Sequence, residues 1–287
     1  MEKITSPSYI KYLLDRYGTQ AKKQFGQNFL ISEHVLAQIV AAADIQPTDT
    51  IIEVGPGLGA LTRELCLRAK KIVALEKDRT MLEVLKETIL QETPGAKTKI
   101  TFLEQDALNF DPSTDTLTTQ PYKLIANLPY NVATPILENF LVRTAYNHTQ
   151  PERIVVLVQK EVAEKICAKT GDHSVLSLAF QPFGSAHIVS TVPPGSFFPA
   201  PKVTSAILHI TPHTSPLLAE DVLPFYIKLL HAAFSQKRKM LHTSLTQIMS
   251  KDEVATLLTK AEISPDIRPQ NMSLEDWITL AKAFSAP

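Results

Sequence analysis

From residue 50 onward the chain alternates short β-branched runs with amphipathic helical stretches, and few folds accommodate that alternation. Residues 51–54 precede a helical pattern over 60–69, and residues 72–75 precede one over 81–90. Strand-like runs recur at 100–103, 123–126 and 154–158, the last followed by a helical pattern over 161–168. A strand with a covering helix returns to a strand running the same way, so these five runs predict βαβ units on a parallel sheet. The rhythm then changes. Residues 187–192 and 205–210 are two strand-like runs joined by a proline-rich segment without a helix, which predicts an antiparallel hairpin at the sheet edge. After turn signals at 211–216, only helical patterns remain, over 222–234, 240–248, 251–261 and 274–284. Ser273, with Glu275 and Asp276 behind it, predicts an N-cap for the last of these. The expected fold class is α/β: a Rossmann-like sheet, mainly parallel with an antiparallel edge hairpin, followed by a small C-terminal helical domain. The expected domains are 1–212, including an N-terminal arm, and 213–287.

The chemistry-bearing residues fall where these strands end. Glu53-Val54-Gly55-Pro56-Gly57-Leu58-Gly59 joins the first strand to its helix, and Glu76 closes the next strand 21 positions after Gly55. Glycines let the backbone turn tightly and approach a ligand, while a carboxylate on the second strand can accept hydrogen bonds from ribose hydroxyls. Gly55, Gly57 and Ala60 also fit a dinucleotide fingerprint, so the loop by itself leaves a nicotinamide dehydrogenase open. Asp106 follows the third strand and Asn127 the fourth. A carboxylate at the first of these places can accept from an adenine amine, although a turn or helix cap would also use an aspartate. Asn127-Leu128-Pro129-Tyr130 is the most specific segment. An exocyclic amine is a poor nucleophile because its lone pair is delocalised into the ring, so methylating one requires acceptors that hold its hydrogens. Asn127 offers a side-chain oxygen, the Leu128 carbonyl before Pro129 a second acceptor, and Tyr130 a face for an extruded base. Phe197, in the segment Phe197-Phe198-Pro199-Ala200-Pro201-Lys202, is expected to sandwich that base against Tyr130. Lys202 suits a phosphate contact or plain solvation.

These motifs, together with Lys22-Lys23-Gln24-Phe25-Gly26-Gln27-Asn28-Phe29-Leu30, closely resemble the ribosomal RNA adenine dimethyltransferase family across nearly the whole chain. The resemblance implies a class I methyltransferase sheet and S-adenosylmethionine as cofactor. It implies that the Gln-Asn-Phe-Leu segment folds over that cofactor, with Asn28, Leu30, Gly55, Gly57, Glu76, Asp106 and Asn127 in contact with it. Of the family's two branches, the chain resembles the one that modifies two adjacent adenosines near the end of small-subunit RNA. Leu128 in the tetrapeptide, the long helical appendix, Phe234-Ser235-Gln236-Lys237-Arg238-Lys239 and Ile267-Arg268-Pro269 carry that resemblance. A large-subunit methyltransferase and an assembly factor acting by binding alone remain the alternatives. The expected partner is small-subunit ribosomal RNA in a precursor particle, bound by a monomer.

Charge bears on the partner. Lys plus Arg and Asp plus Glu are each 29, so the formal net charge is zero and any attraction for RNA must be local. Residues 1–30 carry Lys3, Lys11, Arg16, Lys22 and Lys23 against Glu2 and Asp15, five minus two, or +3. Lys237-Arg238-Lys239 forms a second basic cluster, equally compatible with a solvated helix face. Cys66 and Cys167 lack metal-ligand spacing, and the eight histidines lack a paired helical spacing, so no metal is expected. The start has no positively charged segment followed by an apolar stretch, and residues 154–158 are too short an apolar run to span a bilayer, so a cytoplasmic protein without membrane contact is expected.

Overall fold

A computed structural model describes residues 3–21, 26–112, 121–147, 149–236 and 238–285. The chain divides into two compact units, 1–163 with 187–212 and 164–186 with 213–287. The second unit therefore includes residues 164–186, which the expected domain boundary at 212 assigns to the first.

The first unit opens with α1 (Pro7–Arg16), the two-residue strand β1 (Phe29–Leu30) and α2 (Glu33–Ala43). The sheet then alternates as β2 (Thr50–Val54), α3 (Ala60–Arg68), β3 (Lys71–Glu76), α4 (Arg79–Glu92), the single turn α5 (Ala96–Lys99), β4 (Ile100–Glu104) and β5 (Tyr122–Asn127). After β5 come α6 (Ala133–Leu137), a π-helical stretch (Glu138–Arg143), β6 (Arg153–Gln159) and α7 (Lys160–Ile166), then α8 (Val175–Phe180), β7 (Gly184–Val192), β8 (Phe197–Phe198) and β9 (Ser205–Pro212). The seven-stranded sheet has the order β4-β3-β2-β5-β6-β9-β7. β2 pairs in parallel with β3 and β5, and β6 in parallel with β5, whereas β9 runs antiparallel to β6. The last strand of the sequence is thus inserted between β6 and the edge strand β7.

The central strands read as continuous apolar runs because they are covered on both faces: every residue of β2 is buried, and so are residues 154–158 of β6. β7, with one neighbour, alternates buried ends with exposed and half-buried positions. Ile10, Leu13 and Leu14 of α1 fall at helical spacing and pack with Ile4, Phe29, Leu58, Met81 and Val84. The Tyr9 hydroxyl donates to Glu92 Oε1 at 2.6 Å, the Arg16 guanidinium pairs with Glu87 at 2.7 Å, and the Tyr17 hydroxyl also donates to Glu87. These contacts fasten the N-terminal helix along α4.

The second unit includes α8, α9 (Leu223–Phe234), α10 (Leu241–Leu245), α11 (Lys251–Lys260) and α12 (Leu274–Ser285). They close around fully buried Trp277, Tyr226, Leu229 and Leu241. Ser250 and Glu253 form a reciprocal capping box on α11, and Ser273 with Asp276 does the same for α12 (Ser273 N–H to Asp276 Oδ2, 2.9 Å; Asp276 N–H to Ser273 Oγ, 3.1 Å). Among the described residues no helix is long and apolar enough to cross a membrane.

Candidate active site

Parallel strands leave a crevice at their carboxyl ends where the order reverses, here between β2 and β5. One cavity occupies that place, and all the expected cofactor contacts line it: Asn28, Leu30, Gly55, Gly57, Glu76, Asp106 and Asn127. Leu128, Pro129 and Tyr130 line it too.

The glycine loop is shaped by two close approaches. Gly57 has φ +57°, and a Cβ there would come within 3.2 Å of the Phe29 ring. Gly59 has φ +96°, and a Cβ there would stand 2.8 Å from Ile89 Cδ1, so the start of α3 can press on α4 only without a side chain. On the opposite wall Pro129 packs within 3.6 Å of where a Cβ of Gly55 would lie.

Three carboxyl groups line the cavity, in different states. Glu76 is 8% exposed and accepts from the Asp78 N–H at 2.9 Å. Burial pushes it up to about 6, with backbone N–H donors holding it down in part. Glu53, at 1% exposure, has its Oε2 without a hydrogen-bond partner. Loss of hydration, and then the nearby charge of Glu76, raise it to about 8. Asp106 is different. Burial acts to raise it, but Lys77 Nζ at 2.6 Å and the Leu108 N–H at 3.0 Å outweigh that and hold the carboxyl below its usual range.

The tetrapeptide is tied from several sides. The Leu128 N–H donates to the Leu157 carbonyl of β6 at 3.1 Å, with the Leu128 side chain 1% exposed. Asn127 Nδ2 donates to the Asn28 carbonyl at 3.0 Å, and Asn28 Nδ2 donates to the Gly26 carbonyl at 3.1 Å, so the N-terminal arm is stitched to the end of β5. The Tyr130 hydroxyl lies 2.5 Å from Ser205 Oγ. Asn139, 6% exposed in the π-helical stretch, donates from Nδ2 to the Ala107 and Phe110 carbonyls at 3.0 and 2.8 Å, fixing the loop that carries Asp106.

Phe197 departs from expectation. It is 2% exposed and packs in the core with Leu30 and Ile207, away from the cavity lining. β8 pairs with β1 in antiparallel register, Leu30 opposite Phe197 and Phe29 opposite Phe198. Neighbouring strand residues point to opposite sides, so pairing with buried Leu30 turns Phe197 inward and leaves Phe198 half-buried beside the α1 cluster. Lys202, Arg238 and Lys239 are exposed. Lys22, Lys23 and Lys237 lie outside the described residues. Glu53, Lys77, Ser205 and Asn139 were not singled out as site residues in the sequence. Only Glu53 carried a signal, an acid inside an otherwise apolar strand.

The set of groups fits a nucleoside that bears a positive charge. Glu76 and Asp106, ionised above about pH 6, offer acceptors to hydroxyls and an amine and negative charge to a cation, and Leu108, Ile136 and Leu61 supply apolar walls. The comparisons with known proteins agree. The model of the ribosomal RNA adenine dimethylase family matches residues 18–286. The chain is 41% identical to ribosomal RNA small subunit methyltransferase A of Dehalococcoides mccartyi (strain CBDB1) over 96% of this chain and 92% of that one. It is 37% identical to the protein of the same name from Enterococcus faecalis, covering 99% and 97%. Among solved structures, a dimethyladenosine transferase from Plasmodium falciparum superposes with a TM-score of 0.74 at 25% identity, covering 90% of this chain and 97% of that one. The 23S rRNA methyltransferase ErmE superposes with a TM-score of 0.66 at 26% identity, covering 90% and 100%. On the match of both sequence and site, the chain belongs to the ribosomal RNA adenine dimethylase family of S-adenosylmethionine-dependent methyltransferases.

Proposed function

We propose that this rRNA adenine dimethyltransferase acts on two adjacent adenosines near the 3′ end of 16S RNA, in a precursor of the 30S subunit, as a cytoplasmic monomer that needs no metal. The observation that carries this reading is the convergence of Asn127, Leu128, Pro129 and Tyr130 with Glu76 and Asp106 on one cavity. The small-subunit branch is favoured over the large-subunit one because curated relatives named for the small subunit reach 41% identity, against 26% for ErmE.

Bound in the cavity, S-adenosylmethionine supplies an electrophilic methyl group. Glu76 accepts from its ribose hydroxyls and Asp106 from its adenine amine, while Asn28, Leu30 and the backbone at Gly55 and Gly57 enclose it. The target adenine enters flipped out of its strand. Asn127 Nδ2 is engaged by the Asn28 carbonyl, which leaves the side-chain oxygen as the acceptor for an incoming amine. That oxygen and the Leu128 carbonyl draw on the two amine hydrogens and let the nitrogen become tetrahedral as it attacks. Tyr130 stacks on the ring. Phe197, in the core, supports the floor of the site through Leu30 rather than closing a sandwich. Much of the rate comes from alignment, and the methylated amine, now acidic, gives its proton to neighbouring acceptors or water without a dedicated base. Lys202, Arg238 and Lys239, with Lys22, Lys23 and Lys237, contact RNA phosphates, and residues 213–287 of the helical unit contribute to ribosome binding.

Radiolabelled methyl transfer to undermethylated small subunits tests the assignment. The native chain is expected to form dimethyladenosine at two adjacent positions, and Asn127→Ala to lose at least a hundredfold in rate, on the order of one lost preorganised acceptor. Transfer to large-subunit RNA alone would overturn the reading.

A further inference from the structure

We infer that Ser205 is a positioning residue for the target base: its buried hydroxyl anchors the Tyr130 phenol and thereby sets the plane of the ring on which the adenine stacks. The inference rests on the reading of Tyr130 as the stacking face.

β9 is apolar from Ala206 to Leu208, and all three residues are fully buried. Ser205 at its head is also 0% exposed. A hydroxyl in such a place costs free energy unless it finds a partner. The partner is Tyr130, with the two oxygens 2.5 Å apart and one hydroxyl donating to the other. Ser205 has a fixed backbone. It lies opposite Gln159 in the antiparallel ladder with β6, and the Lys160 N–H donates to the Thr204 carbonyl at 3.0 Å immediately before it.

Tyr130 has less support of its own. It stands beyond the end of β5 in a turn closed by the Val132 N–H donating to the Pro129 carbonyl at 3.1 Å, and its side chain is half-buried at the cavity wall. A tyrosine ring has two side-chain torsions, and a fixed hydrogen bond at its far end restrains both. The strand that carries Asn127 and the strand that carries Ser205 flank β6 on either side. The acceptor for the amine and the plane of the base are therefore both referred to one rigid sheet.

A double-mutant cycle decides. Tyr130→Phe, Ser205→Ala and the double variant are assayed for kcat/KM on undermethylated small subunits, with S-adenosylhomocysteine affinity measured by calorimetry. Each single change is expected to lower kcat/KM about threefold to tenfold, the range of one hydrogen bond, and the double variant no further. Affinity for S-adenosylhomocysteine should not change. In chains labelled with 3-fluorotyrosine, the fluorine resonance that disappears in Tyr130→Phe should shift or broaden in Ser205→Ala. Additive losses, or an unchanged kcat/KM in Ser205→Ala, would overturn the inference. If Ser205→Ala fails to bind S-adenosylhomocysteine, Tyr130→Phe decides alone: a threefold to tenfold loss supports the anchor and full activity overturns it. Tyr130→Ala separates the two readings, since native activity there removes the stacking role itself whatever the cycle gives.

Discussion

Glu53 sits under the glycine loop as an acid that cannot be ionised cheaply. Its ordinary value lies near 4.5 and its folded value near 8, so between these the folded chain holds a proton that the unfolded chain has lost. A raised carboxyl pKa contributes stability that is complete below the unfolded value and fades as pH rises through the folded one. Thermal unfolding of the ligand-free protein should therefore show stability falling between about pH 5 and pH 8, on the order of 1 kcal/mol per pH unit. Glu53→Gln should flatten that slope, and a slope unchanged by the substitution would dismiss Glu53 as its source. Glu76, raised to about 6, adds a smaller contribution of the same sign at the acidic end of the window. At this scale the sequence was most legible where residue type and place in the strand were both diagnostic. Glu76 and Asn127 each end a strand, Asp106 follows one by two residues, and all three line the cavity. Two consecutive phenylalanines carried no such information. Which of them turns inward depends on the register of β8 with β1, and a pairing two residues long leaves no periodic trace.

At the scale of elements, the five parallel strands were readable because each is a short, largely apolar run, three of them followed by a helical pattern. Strand β9 was readable as half of an antiparallel pair, but its insertion beside β6 was not, since strand order follows from which helices cover which face. The π-helical stretch left no signal either. Its function in the structure is to widen one turn so that Asn139 reaches two carbonyls of the loop after β4. Both amide hydrogens of Asn139 are used, and Arg143 donates to its oxygen at 3.2 Å. Asn139→Leu would leave two buried carbonyls without donors, at about 1–3 kcal/mol each at most. The expected outcome is a lower melting temperature and at least a tenfold weaker affinity for S-adenosylhomocysteine, read by calorimetry. A destabilised protein with native affinity would show that the loop holds Asp106 without this support.

For the whole molecule, electrostatics must be regional because the formal charge is zero. Arg238 and Lys239 belong to the helical unit and are exposed. If they bind phosphates, log K for RNA plotted against log salt should lose about one unit of slope for each cation removed. Arg238→Ala with Lys239→Ala should weaken RNA binding across sequences and leave S-adenosylhomocysteine binding unaltered. A native salt slope in that double variant would assign these cations to solvent.

The helical unit is also assembled from two separated stretches of chain, so the polypeptide passes between the units at 163/164, 186/187 and 212/213. A stop codon after residue 212 would thus not yield the sheet unit alone. It would leave 164–186 attached, with Leu178 and its neighbours deprived of the core that buries them. For the same reason a single protease cut at any one passage leaves the two units covalently joined. Recovering the sheet unit as a separate piece calls for excision and religation, joining 163 to 187 and ending at 212.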